Sequence, residues 1–176
     1  STDNRGYDIT FNSGTLTVNQ APLTITATST TKTYDGTTSA LATPTITSGT
    51  LFTGDTAVLT ESYDNKNVGT GKTLMPTAVI SDGNSGNNYA ITYVNSTGAI
   101  NKAALTVTAN NAVKTSGQPN PAFTASYSGL ATGDSSASLT GSLTFDTTAT
   151  TSSAPGTYAI TLTGTLASPN YTISYA

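Results

Sequence analysis

Two short runs in this 176-residue chain hold residue types whose spacing could do chemistry. Tyr34-Asp35-Gly36 sets an aromatic ring beside a carboxylate and a glycine, the makings of a tyrosine platform for a glycan. The competing reading is a hairpin turn whose tyrosine packs at a strand end, since Asp caps its own turn and Gly tolerates positive φ. Asp82-Gly83-Asn84-Ser85-Gly86-Asn87-Asn88 offers hard oxygen ligands, with Asp82, Asn84 and Asn87 as the candidate calcium set. That run supplies one carboxylate and lacks the D-x-[DN]-x-[DN]-G-x₅-E spacing, so a flexible loop competes with it.

Other chemistries are poorly supplied. The chain has no histidine and no cysteine, which removes the commonest general base, thiol nucleophiles and most transition-metal sites. Glycoside hydrolysis needs two carboxylates roughly 5–9 Å apart, one with a raised pKa. Glu61 is the single glutamate, and its sequence neighbours Asp55 and Asp64 sit beside turn residues. All three read as solvated turn carboxylates. A serine nucleophile would need Lys32, Lys72 or Lys114 as its base, and Lys32 and Lys114 are also candidates for an isopeptide bond. The expectation is no enzyme and no cofactor.

Composition narrows the partners. Six basic and nine acidic side chains are scattered along the chain for a net charge of −3. No basic patch is present to release counterions from a nucleic acid or to hold an anionic membrane. No apolar run approaches the ~20 residues of a membrane span, so no membrane insertion is expected. Charged residues make up 9%, and about forty threonines take their place. Thr is β-branched, hydrates well and carries no charge, which suits the outer face of a strand.

The elements that position these residues repeat. Tyr7-Asp-Ile9-Thr-Phe11, Tyr89-Ala-Ile91-Thr-Tyr93 and Tyr171-Thr-Ile173-Ser-Tyr175 stand at equal spacings of 82 residues. Asn19–Ala27 and Asn101–Ala109 recur at the same offset, and Lys114-Thr115 follows Lys32-Thr33 likewise. A fixed long period marks modules arrayed along a chain. Slots filled alike in each copy point to core or inter-module packing. Period-two alternation predicts strands at Tyr7–Phe11, Gly14–Val18, Leu23–Ala27, Leu41–Ile46, Ala57–Tyr63, Leu105–Ala109, Leu139–Phe145, Thr157–Thr163 and Asn170–Tyr175. Thr73–Ile80 is a further strand, interrupted or bounded by Pro76, and no 3.6-residue apolar stripe predicts a helix.

Lys32-Thr-Tyr34-Asp35-Gly36-Thr37, with Asn88-Tyr89-Ala-Ile91, resembles the YDG repeats of large bacterial secreted adhesins. Asn120-Pro121-Ala-Phe123, Ser126-Tyr127-Ser-Gly129-Leu130, Gly133-Asp134, Leu139-Thr-Gly141 and Pro155-Gly156-Thr-Tyr158 are similar to the MBG modules that accompany them. Together the resemblances cover about 21–176 and imply no catalytic residues. They imply β-rich repeat units of an exported, filamentous-haemagglutinin-like protein at the bacterial cell surface.

The expected architecture is all-β: two tandem antiparallel modules, 21–102 and 103–176, in an extended, end-to-end arrangement. Residues 1–20 read as the C-terminal strands of a preceding module. The second module stops at Ala176, short of any counterpart to Gly98–Ile100, so its last strand is expected to be missing and an edge left open. Strand exchange between copies, through Thr10–Val18, follows as an expectation. The expected role is a stalk unit that packs on neighbouring modules of the same polypeptide. The alternative is an adhesive module that itself binds a host glycan or protein.

Overall fold

The computed structural model describes residue 6 and residues 10–176. Twelve strands and one 3-10 turn, Ser136–Ser138, make up their regular structure, so the chain is all-β. The first module holds β1 (Ala21–Thr26), β2 (Thr31–Thr33), β3 (Thr45–Ser48), β4 (Thr56–Tyr63), β5 (Gly69–Ser81), β6 (Tyr89–Val94) and β7 (Ser96–Asn101). They form two sheets, β3-β1-β6 and β2-β7-β5-β4. The second module holds β8 (Ala103–Ala109), β9 (Ala125–Ser128), β10 (Leu143–Asp146), β11 (Thr161–Gly164) and β12 (Tyr171–Tyr175). Its sheets are β12-β8-β9 and the two-stranded β10-β11.

Alternation explains the opening strands. Leu23 and Ile25 along β1 and Ala27 just past its end are buried, as are Leu105 and Val107 along β8, while the threonines between them face outward. The 82-residue period is kept to the register. Ala21 pairs with Tyr89 in β1–β6, and Ala103 with Tyr171 in β8–β12.

Those two pairings are parallel, as is β2 with β7. The expected purely antiparallel modules are therefore mixed. A hairpin cannot join parallel neighbours, but the long excursion between the first and last strands of a module can. Other expectations also shift. Tyr34-Asp35-Gly36 is a turn but not a hairpin, because the chain after it joins β4 through Ser39↔Ser62 and does not return along β2. Pro76 does not break its strand: β5 runs 13 residues through it, opposite Glu61. The β5–β7 pairing has ended at Leu74, so the nitrogen that cannot donate faces no strand. The weak Leu41–Ile46 strand lies later, at β3, and Leu139–Phe145 and Thr157–Thr163 shrink to β10 and β11.

The N-terminal expectation fails over the residues described. Gly14–Val18 forms no strand, and Phe11, Leu16 and Val18 are about nine-tenths exposed. Alternation makes a strand only where a partner is within reach. Tyr7 lies outside the described residues.

The modules join with Lys102 as the single residue between β7 and β8. One buried cluster crosses that joint: Tyr63, Leu74 and Ile100 of the first module touch the group that holds Leu105, Val107 and Tyr171 of the second. A separate cluster of Leu23, Ile25, Ile80 and Tyr89 fills the far end of the first module. The accessible surface is 11482 Å². A compact chain of this mass would expose about 8,000 Å², and the excess includes the exposed residues 10–20 before β1.

Candidate functional site

The residues with chemical potential gather at the joint between the modules. Lys32, central in β2, is 5% exposed, and its Nζ donates to Asp35 Oδ1 (2.7 Å) and to the Thr37 carbonyl (2.9 Å). Asp35 Oδ1 also accepts from the Thr37 N–H and hydroxyl, both at 2.9 Å. Burial raises the Asp35 pKa, but the bonds from Lys32 and Thr37 outweigh it and hold the carboxyl below its ordinary value. The turn is thus locked from inside by an ion pair. Gly36, at φ +80°, faces the second module so closely that a Cβ would sit 2.8 Å from the Thr132 carbonyl.

Tyr34 is 4% exposed and meets Tyr171 edge to face at 5.4 Å. Its hydroxyl donates to Asp134 Oδ2 at 2.9 Å, and the Tyr171 hydroxyl donates to the same oxygen at 2.7 Å. The Tyr171 hydroxyl also accepts from the Ala131 N–H. Lys66 Nζ stands 3.7 Å from Asp134 Oδ1. Beside this network, Asn170 Oδ1 accepts the Val68 N–H at 3.0 Å, and Asn170 Nδ2 donates to Asn67 Oδ1. Every one of these bonds to Tyr34, Lys66, Asn67 and Val68 crosses from one module to the other.

The electrostatics suit a lock. The hydroxyl of Tyr171 holds Asp134 below the usual carboxylate range, and Tyr34 and Lys66 add to that. Burial pushes the Tyr171 phenol up to about 12, with Asp134 adding to the rise. Burial likewise raises Tyr34. An anion shared by two neutral phenols offers no free base and no nucleophile. Because Tyr34 is covered, its ring is spent on Tyr171 and presents no face to a sugar.

Each module owns the acceptor half of this arrangement. In the first module the Tyr89 hydroxyl donates to Asp55 Oδ2 at 2.6 Å and accepts the Phe52 N–H. There the Phe52 ring lies 5.6 Å from Tyr89, whereas the second module has the small Ala131 and receives Tyr34. Sequence reasoning missed Asp134 as the acceptor of Tyr34, and Lys66 and Asn170 as further residues that bridge the joint. The signal for Asp134 is the Leu-x-Thr-Gly-Asp run shared by Leu51–Asp55 and Leu130–Asp134. The second aromatic of the repeated pattern is less uniform than expected: the Tyr175 hydroxyl accepts the Leu166 N–H, but Tyr93 is 45% exposed.

Asp82, Asn84 and Asn87 lie together in the loop before β6, tied up by the loop itself. Asp82 accepts the N–H groups of Asn84 and Gly86 at 2.8 Å and of Asn88 at 3.0 Å. Burial raises its pKa, and these three donors outweigh that and bring it below the ordinary value. Asn84 Nδ2 donates to Asn88 Oδ1, and Asn87 Nδ2 to the Asn84 carbonyl. Among the described residues no three His, Cys, Asp or Glu side chains group as metal ligands. Glu61 departs from its expected solvated turn. It is 6% exposed in β4, with Oε2 accepting the Thr28 N–H. Lys114 Nζ donates to the Thr150 and Gln118 carbonyls.

Residues 19–98 match the family model of the YDG domain, and residues 105–176 match that of the MBG domain (YGX type). No curated protein and no solved structure matches the chain. The tandem agrees with a module pair of a larger surface protein.

Proposed function

The chain is a YDG domain followed by an MBG domain of the YGX type, and from that premise we propose that it is a stiff spacer in the stalk of a bacterial cell-surface adhesin. Its task is to hold a binding region away from the cell. The observation that carries this reading is the Tyr34–Asp134–Tyr171 network across the joint. Bending there would uncover two buried phenols and part the Gly36 turn from Thr132. With one residue between β7 and β8, the linker has little freedom of its own.

Small-angle scattering tests the proposal. A maximum dimension equal to two modules stacked lengthwise is expected, unchanged by salt, because the lock is buried and poorly screened. A compact or salt-dependent envelope would refute a stiff spacer. A glycan array on the same chain, expected blank, tests the adhesive alternative.

A further inference from the structure

The loop between β4 and β5 sets a lysine amine against a side-chain amide and a carboxylate. Lys72 follows the register shift in the β5–β7 pairing and stands opposite Gly98. Its side chain turns inward there, as that of Leu74 does, and the residue is 8% exposed. Its Nζ donates to Asn65 Oδ1 at 2.5 Å and stands 2.9 Å from Asp64 Oδ1. The loop holds both acceptors in place. The Asp64 N–H donates to the Thr73 carbonyl, and Asp64 Oδ1 accepts the Asn65 N–H. Asn65 Oδ1 in turn accepts the Asn67 N–H at 3.1 Å.

Each of these groups has a part in making an amide. A lysine amine is a nucleophile once a neighbouring base has taken its proton, and Asp64 is within hydrogen-bond reach of it. With Nζ 2.5 Å from Oδ1 and a C=O bond of about 1.2 Å, Nζ lies at most about 3.7 Å from the Asn65 Cγ. Reacting atoms about 3–3.5 Å apart are poised for attack, so a small swing of the lysine chain completes the approach. The Asn67 N–H already donates to the oxygen on which negative charge develops, as an oxyanion donor does. Asn65 is exposed, which gives a departing group a direct way into solvent. The two lysines that sequence reasoning named for such a bond lack this setting. Lys32 Nζ meets Asp35 and Thr37, where one carboxylate would have to be both base and electrophile. Lys114 Nζ meets the main-chain carbonyls of Gln118 and Thr150.

We propose that Lys72 and Asn65 join in an intramolecular isopeptide bond. Asp64 takes a proton from the Lys72 ammonium, Nζ attacks Cγ, and the Asn67 N–H steadies the charge on Oδ1. The Nζ–Cγ bond forms and the Cγ–Nδ2 bond breaks. Asp64 relays two protons in turn from Nζ to the departing Nδ2, which leaves as ammonium. Nothing is oxidised or reduced, and Asp64 ends as the carboxylate. The product staples the two ends of the loop that reaches the second module, through Lys66 to Asp134 and through Asn67 and Val68 to Asn170. It adds a covalent brace to the first module's side of the joint.

The intact mass of the folded chain, incubated at neutral pH, should fall short of the sequence mass by one ammonia. A succinimide at Asn65 would lose the same mass, and a tryptic map under denaturing conditions separates the two. Trypsin cuts after Lys66 but not after an acylated Lys72, so Thr33–Lys66 and Asn67–Lys102 should appear as one branched species. Asn65→Ala and Asp64→Ala, with circular dichroism spectra like that of the parent, should each keep the full mass of their own sequence. The full sequence mass in the parent chain, a free Asn67–Lys72 peptide in its map, or a branched species surviving in Asp64→Ala would overturn the proposal.

Discussion

The bond between Tyr34 and Asp134 can be weighed by a double-mutant cycle, because its two ends belong to different modules. Tyr34→Phe removes the hydroxyl that donates at 2.9 Å and keeps the ring that meets Tyr171 at 5.4 Å. Hydrogen bonds to charged groups contribute about 1.5–3 kcal/mol, and the carboxylate keeps Tyr171 and Lys66 after the change, so about 1.5 kcal/mol is expected. Asp134→Ala leaves two buried phenols without their acceptor, and about 2–4 kcal/mol is expected on the same grounds. The double variant should be less destabilised than the sum by about 1–2 kcal/mol. Urea unfolding followed by far-ultraviolet circular dichroism measures all four corners. Tyr89→Phe is the control: its partner is Asp55, so it should add independently to Asp134→Ala. A coupling within about 0.5 kcal/mol of zero between positions 34 and 134 would refute the locked joint.

Gly36→Ala should destabilise by about 1–3 kcal/mol, from the left-handed φ and from a Cβ only 2.8 Å from the Thr132 carbonyl; thermal melting reads it. Alkaline titration should weaken the fold. The Tyr171 phenol is held near 12 against an ordinary 10.0, so its contribution is whole below pH 10 and disappears as pH rises through about 12. Tyr171→Phe should flatten that part of the stability curve. Asp134 has the opposite sign. Its pKa is lowered, so its contribution is whole at neutral pH and is lost as pH falls below about 4 and through the folded value. A chelator should leave the melting temperature unchanged, whereas Asp82→Ala should lower it through the three released N–H donors. A calcium-dependent melting temperature would refute that reading of the loop.

Much of the fold was legible because it repeats. Leu23-Thr-Ile25 and Leu105-Thr-Val107 announce their strands by alternation, and the spacing of 82 residues places them in equivalent sheets. Strand direction was not legible. Alternation sorts side chains between two faces but is the same for parallel and antiparallel neighbours, so β1–β6 and β8–β12 came as a correction. Pro76 and Glu61 misled for a related reason. Their meaning depends on which side of a strand is paired, and that is a property of neighbours distant in the chain.

By itself the amino-acid sequence determined the strand faces, the module period, the turn at Gly36 and the absence of histidine and cysteine chemistry. These are local: each follows from a residue type and its spacing along one stretch of backbone. Only the tertiary structure decided what Tyr34 is for. Its hydroxyl meets a carboxylate 100 residues away, and that meeting is set by how β7 hands the chain to β8 and by the packing on both sides of the joint. Contacts of that range are selected by the whole folded core, and no short window of residues contains them.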